Sequence, residues 1–142
     1  MSDNLLKNAD ESGVYHLVTS RQSTIEAAAR HERFCVLTAD IAKHSSTQDV
    51  LVQLGSALNF PIWYGANFDA LNDCLTDPDW EPAKGHVLFI NGLARLRASD
   101  PADFATLIEV LQSAAETRRA LHLPFWVLID APARGIPMLA EA

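Results

Sequence analysis

The sequence predicts an α/β fold in which a small parallel sheet of three strands, with a possible fourth strand at its edge, packs against helices. Three continuous apolar runs are separated by segments with helical periodicity, a pattern typical of parallel strands that helices cover on both faces. The chain has 142 residues, of which 49% are hydrophobic and 20% charged. This length and composition favour one globular domain and exclude an intrinsically disordered chain.

The predicted strands are short. Continuous apolar runs at 34–37, 87–90 and 125–129 lack the alternation of a half-exposed strand, which indicates burial on both faces. A further apolar stretch at 14–18 predicts a short strand at the edge of the sheet.

Helical periodicity predicts helices at 23–32, 47–58, 67–77 and 100–121. The spacing of Ser23 and Glu26 is that of a capping box at a helix start. Asn67 is a favourable N-cap for the third helix, and Asp100, followed by proline, is one for the fourth. We expect Gly65, shortly before the third helix, to supply a turn with positive φ.

The two ends of the chain lack apolar periodicity. We therefore expect a flexible N-terminus at 1–13, a single domain at 14–130 with a β-α extension at 14–33, and a flexible C-terminal tail at 131–142. The N-terminal residues show neither the basic region nor the apolar core of a signal peptide. Two cysteines are too few for a disulfide framework, and together these features predict a cytoplasmic protein.

Acidic residues are concentrated in the segment 60–83. The chain carries 18 acidic and 11 basic residues, and this segment holds five of the acids and no Lys or Arg. Asp69, Asp73 and Asp77 are spaced four apart, so that they share one helix face, and Trp63 and Tyr64 precede them. The pattern indicates either a solvated acidic face or a binding surface for a basic protein. The net charge of −7 argues against direct nucleic-acid binding.

The segment 63–76, WYGANFDALNDCLT, resembles the signature of the barstar family of bacterial ribonuclease inhibitors. The shared pattern is aromatic-Tyr-Gly-x-Asn-x-Asp-Ala-Leu-x-Asp-Cys-Leu-Thr. Weaker similarity in the order of elements extends over 34–130, and residues 1–33 are similar to an N-terminal extension of longer bacterial members. The resemblance implies a barstar-like fold and a cytoplasmic inhibitor without catalytic activity. The five histidines lack the spacing of a zinc site, so we expect no metal and no cofactor.

The resemblance also implies roles for individual residues. Asp73 would enter the basic cleft of a guanyl-specific bacterial ribonuclease in place of the substrate phosphate, and Asp69 would pair with a second basic group. Trp63 would pack on the active-site side chains of the ribonuclease. The remaining residues expected at the interface are Tyr64, Asn67, Asn72, Thr76 and Asp77. Asn72 replaces a family tryptophan, and Asp77 replaces a family glycine. The family's acidic residue on the last helix has no clean match here: Ser113 falls nearest, and Glu109 and Glu116 are three or four positions away.

Two other functions fit the same residues. The chain could be an immunity or interaction module for a different basic toxin. Alternatively, Asp69 and Asp73 could act as an acid–base pair or hold Mg²⁺ together with Asp77. The second alternative is the weaker one, because a magnesium site usually borrows substrate phosphates and the acidic segment offers no basic residue to bind them. Neither alternative includes a membrane partner, since no apolar run is long enough to span a bilayer.

Overall fold

The computed structural model describes residues 2–140, with side chains from residue 5 onward. The helices are α1 (Ser2–Lys7), α2 (Gln22–His31), α3 (Thr47–Ala57), α4 (Phe68–Thr76), α5 (Ala94–Ser99) and α6 (Pro101–Ala120). The strands are β1 (Val14–His16), β2 (Cys35–Asp40), β3 (His86–Asn91) and β4 (Phe125–Ile129). Short 3₁₀ turns at Ala9–Glu11 and Thr19–Arg21 precede β1 and α2. None of the described helices combines the length and the apolarity needed to cross a bilayer.

The four strands form one sheet in the order β1-β4-β3-β2, and every neighbouring pair is parallel. Val127 of β4 lies opposite Val14 on one side and Leu88 on the other. The predicted α/β class and parallel sheet are therefore confirmed, and the N-terminal segment does supply the fourth strand at an edge.

Alternate residues of the central strands face two separate cores. On β3, Leu88 and Ile90 pack in the larger core with buried residues of α3, α4, α5 and α6. Val87 and Phe89 face the opposite side, in a smaller core to which α1 and α2 contribute. The central strands are thus buried on both faces, which explains their continuous apolar sequences.

Local predictions differ from the structure at several points. Strand β2 lies at the other edge of the sheet, so that only Ala39 within it is buried and Cys35 is half-buried. Helix α2 begins at Gln22 after Arg21, whose side chain makes no capping hydrogen bond, and the predicted capping box at Ser23 is wrong. Helix α5 was not predicted. The backbone N–H groups of Gly92 and Leu93, immediately before this helix, donate hydrogen bonds to the carboxylate of Asp130.

Near both ends of the described chain, some residues of the segments expected to be flexible pack against the sheet, whereas residues 1 and 141–142 lie outside the described residues. Leu6 is fully buried, and its carbonyl accepts a 3.1 Å hydrogen bond from Trp126 Nε1. At the C-terminal end, His16 N donates to Pro137 O and Leu139 N donates to His16 O. The second face of the sheet is apolar, and these segments are part of what shields it from water.

Candidate functional site

Helix α4 presents its acidic side chains to solvent because its other face is buried. Leu71, Cys74 and Leu75 are fully buried, whereas Asp69 and Asp73 are exposed. The predicted cap is present: Asn67 Oδ1 accepts a 2.8 Å hydrogen bond from Ala70 N. Asp69 lies in the first turn, where the helix macrodipole favours a negative charge.

A tight turn precedes the helix and carries two exposed apolar side chains. Tyr64 N donates a 3.0 Å hydrogen bond to Pro61 O, which places Ile62 and Trp63 at the two central positions of the turn. Trp63 is 55% exposed and Ile62 is fully exposed. Sequence reasoning identified Trp63 and missed Ile62; the available signal was Pro61 directly before it, because proline marks turns and loops.

Tyr64 anchors this turn to helix α3. Its hydroxyl donates a 2.8 Å hydrogen bond to Leu51 O, and its ring occupies the space beside Gly55. A Cβ atom at Gly55 would lie 2.5 Å from Tyr64 Cε2, so that a larger residue there would displace the ring. Burial raises the pKa of the Tyr64 phenol, which remains neutral and holds the turn in place.

The turn and helix α4 border an open depression of about 450 Å³. The residues that line it are Trp63, Gly65, Asn67, Phe68, Asp69, Ala70 and Asp73. A second depression, of about 320 Å³, lies against another part of Trp63. Its lining is Asn59, Pro61, Trp63, Asp77, Asp79, Trp80 and Glu81. Trp63 thus contributes to two concave surfaces, each with carboxylates in its wall.

The carboxylates of this region are not neutralised by ion pairs. Among residues 5–140, the ion pairs are Lys7–Glu32 and Arg30–Glu26, and both lie outside the acidic segment. Asp77 instead accepts a hydrogen bond from Asp79 N, and Glu81 accepts one from the Cys35 thiol. Asp69 and Asp73 are therefore exposed carboxylates with no ion-pair partner among the described residues.

Arg118 of α6 supports the site from beneath the surface. It is buried, donates hydrogen bonds to Leu75 O and Asp77 O, and lies over the rings of Trp80 and Phe125. These bonds satisfy carbonyl groups at the C-terminal end of α4, where a positive charge also complements the helix dipole. Arg118 thus fixes the end of α4 without exposing its guanidinium group.

The other sequence-predicted residues are partly engaged within the protein. Thr76 Oγ1 donates to Asn72 O, and both residues are half-buried, as is Asp77. Asn72 Oδ1 is buried and has no hydrogen-bond partner among the described residues. Burial and the carboxylates of Asp73 and Asp77 raise the pKa of the Cys74 thiol to about 11, so that it is unreactive at neutral pH.

Two further predictions concern residues around the site. The expected positive φ at Gly65 is wrong; the neighbouring Ala66 has φ of 52°, and Gly65 instead leaves room for the Asn67 side chain. Glu109 and Glu116 of α6 do not line either acidic depression. They border separate depressions beside Arg134 and Arg119, respectively.

The described residues contain no group of three or more His, Cys, Asp or Glu side chains arranged to hold a metal ion.

Comparison with curated proteins found no match. The family model for Barstar (barnase inhibitor) matches residues 34–130, about two thirds of the chain. The matched region runs from the residue before β2 to the residue after β4 and includes the turn and helix α4. The chain therefore belongs to the barstar family of barnase inhibitors.

Proposed function

We propose that this protein inhibits a basic ribonuclease of the guanyl-specific bacterial type by occupying its active-site cleft with helix α4 and the preceding turn. The observation that carries the proposal is the group formed by Asp69, Asp73 and Trp63, which border one open depression. Both carboxylates are exposed and have no ion-pair partner among the described residues. The members of the family to which the chain belongs are inhibitors rather than enzymes.

Carboxylates suit this task because a ribonuclease must hold the phosphate groups of its substrate with cationic side chains. Hydrogen bonds between ionised groups are stronger than neutral ones, and an arginine can bind a carboxylate through two parallel bonds. Asp73 is the proposed central contact, since it lies in the middle of α4 and faces the depression. Asp69, one turn earlier, is proposed to bind a second cation.

The geometry also favours rapid and economical binding. An acidic surface attracts a basic partner before contact, which raises the association rate and makes it dependent on salt. The Asn67 cap and the Tyr64 hydrogen bond hold the helix start and the turn in place. Less conformational entropy is then lost when the complex forms.

A cytoplasmic location is part of the proposal, because an inhibitor acts where free ribonuclease would damage cellular RNA.

The test is a titration of the protein into barnase and other basic secreted guanyl-specific ribonucleases, with RNA cleavage as the readout. We expect stoichiometric inhibition by the wild-type chain and an affinity at least about 30-fold lower for Asp73→Asn, because a desolvated cation of the ribonuclease then loses its partner. Asp49→Asn, at the exposed start of α3, makes the same change in net charge outside the acidic surface and should lower affinity less than about threefold.

The outcomes separate the two functions that the acidic surface allows. If Asp73→Asn lowers the affinity for the ribonuclease by less than about fivefold, Asp73 lies at the rim of the interface and not at its centre. Failure of the wild-type chain to inhibit any of these ribonucleases would contradict the proposed function. A basic toxin of another class would then be the partner to seek.

A further inference from the structure

We propose that Ile62 is an apolar anchor that the ribonuclease buries against a hydrophobic wall beside its basic cleft. This inference rests on the proposed function and specifies the kind of partner that it requires. The ribonuclease must present an apolar surface next to its phosphate-binding cations, in register with the turn that carries Ile62 and Trp63.

The first argument is the position of Ile62. It occupies a central position of the turn closed by the Tyr64 N to Pro61 O hydrogen bond, and its side chain is fully exposed. Turn positions are usually taken by Gly, Asn, Asp, Ser or Pro, whose conformations or local hydrogen bonds suit a turn. A β-branched apolar residue offers none of these advantages, so its presence is not explained by the stability of the turn.

The second argument is that, among the described residues, two exposed large apolar residues are consecutive in the chain only here. The exposed large hydrophobic residues among those described are Val18, Val52, Ile62, Trp63, Leu121 and Met138. Ile62 and Trp63 are consecutive, whereas the others are isolated in sequence. Single exposed apolar residues are normal on a soluble protein. Ile62 lines neither acidic depression, but it directly precedes Trp63, which lines both, so the pair lies next to the carboxylates, as is typical of an interaction site.

The third argument is that the turn is held rigidly in the free protein. Phe60 N donates to Gly55 O, and the Phe60 ring packs edge-on against Tyr64 at 4.9 Å and against Trp80 at 5.6 Å. The residues on both sides of Ile62 and Trp63 are therefore anchored to the core. A side chain presented from such a base can be buried in a complex without ordering the loop first.

The surrounding charges decide which partner fits. Asp69 and Asp73 border the depression on one part of Trp63, and Asp77 borders the other. Apolar contacts at the centre of an interface, surrounded by groups that exclude water, contribute most to affinity. Helix α4 carries Asn72 at its midpoint and has no large exposed hydrophobic residue. The turn must therefore supply the apolar part of the contact, and the helix supplies the charge.

This division of roles makes a kinetic prediction. The carboxylates act at long range and influence the association rate, whereas Ile62 acts only in contact and influences the dissociation rate. Burial of one isoleucine side chain corresponds to about a ten- to hundredfold difference in affinity. We therefore expect Ile62→Ser to speed dissociation by that factor and to leave the dependence of the association rate on salt unchanged.

The experiment measures association and dissociation rates with barnase and other basic guanyl-specific ribonucleases at several salt concentrations. Wild type, Ile62→Ser and Leu121→Ser are compared. Leu121 is also exposed and directly follows α6, and neither of its chain neighbours lines an acidic depression, whereas both neighbours of Ile62 do, so Leu121 provides the control. Because Ile62 is fully exposed, its replacement leaves the core intact, which the unfolding midpoint verifies.

Faster dissociation of Ile62→Ser, with an unchanged rate for Leu121→Ser, would support the inference. If the wild-type chain binds and Ile62→Ser changes the dissociation rate by less than twofold, the inference is overturned and the proposed function still stands. Equal losses for both serine variants would also overturn it, since any exposed apolar residue would then have the same effect. Absence of wild-type binding to all of these ribonucleases would overturn the proposed function and, with it, this inference.

Discussion

Helix α2 should be essential for stability although it lies outside the region that matches the family. The matched residues 34–130 include Val87, Phe89 and Trp126, which form an apolar face of the sheet. Ile25 of α2 is fully buried against that face. We predict that Ile25→Ala destabilises the protein strongly and leaves its affinity for a ribonuclease unchanged, because the acidic surface is formed by other elements.

The size of the effect follows from the burial of Ile25. Its side chain has no exposed surface, so that every carbon removed by the substitution is lost from the core. Transfer accounts for roughly 2.4 kcal/mol at about 0.8 kcal/mol per buried carbon. The cavity that remains adds to this, because Ala28 and Ala29 beside it are too small to fill the space. We expect a total loss of about 2–5 kcal/mol in the free energy of unfolding.

Urea unfolding followed by tryptophan fluorescence measures this loss, since Trp126 lies in the same core. Ile25→Val removes less volume and should cost only about 0.5–1.5 kcal/mol. Thr24→Ala, one residue away on the exposed face of α2, should change stability by less than about 0.5 kcal/mol. The ordering of these three variants distinguishes a packing effect from a general effect on the helix.

A loss below about 1 kcal/mol for Ile25→Ala would refute the reasoning, because a well-packed site cannot lose so much buried surface at so little cost. It would mean that α2 contributes little to closing the second core. A parallel loss of ribonuclease affinity, beyond the fraction of unfolded protein, would instead connect α2 with the binding surface.

Two further predictions concern the N-terminus and pH. Deletion of residues 1–13 should lower the free energy of unfolding by more than about 2 kcal/mol, because Leu6 is buried and accepts a hydrogen bond from Trp126. Ribonuclease affinity should remain unchanged, and a loss of affinity in the folded deletion variant would place this segment in the interface. Burial, more than the nearby Arg118, lowers the pKa of His86 below its ordinary 6.5, despite the opposing hydrogen bond from its Nε2 to Glu81 O. As the pH falls below 6.5, His86 therefore becomes protonated in the unfolded chain before it does so in the folded chain. The free energy of unfolding should decrease over this range with a slope of at most about 1.4 kcal/mol per pH unit. Urea midpoints of wild type and His86→Gln between pH 8 and 5 measure this contribution, and superimposable pH profiles would contradict it.

Local sequence features were sufficient to predict much of the fold. The continuous apolar run at 125–129 predicted a buried strand, and β4 is buried throughout. Asn67 and Asp100 both cap helices as expected, because their side chains bond the backbone within three residues. Such interactions depend on neighbours in the chain and can therefore be recognised without tertiary structure.

Other features depend on long-range contacts and were not predictable in this way. Trp80 lies in an acidic loop, yet it is buried, stacks on His86 and donates a hydrogen bond to Leu58 O. Tyr64 belongs to the same sequence signature as Trp63, but its hydroxyl is bonded to α3 while Trp63 remains exposed. No local pattern distinguishes these aromatic residues, since only the packing of distant segments decides which of them is covered.

The sequence alone determined the α/β class, the parallel sheet, the position of the acidic helix and the family signature. All of these features depend on periodicity, charge or a motif within short stretches of the chain. The tertiary structure decided the strand order, the burial of Leu6 and Leu139 against the second face of the sheet, and the exposure of Ile62 on an anchored turn. These features depend on which segments, far apart in sequence, pack against the same apolar surface. Local sequence does not specify that choice, because many segments could bury the surface.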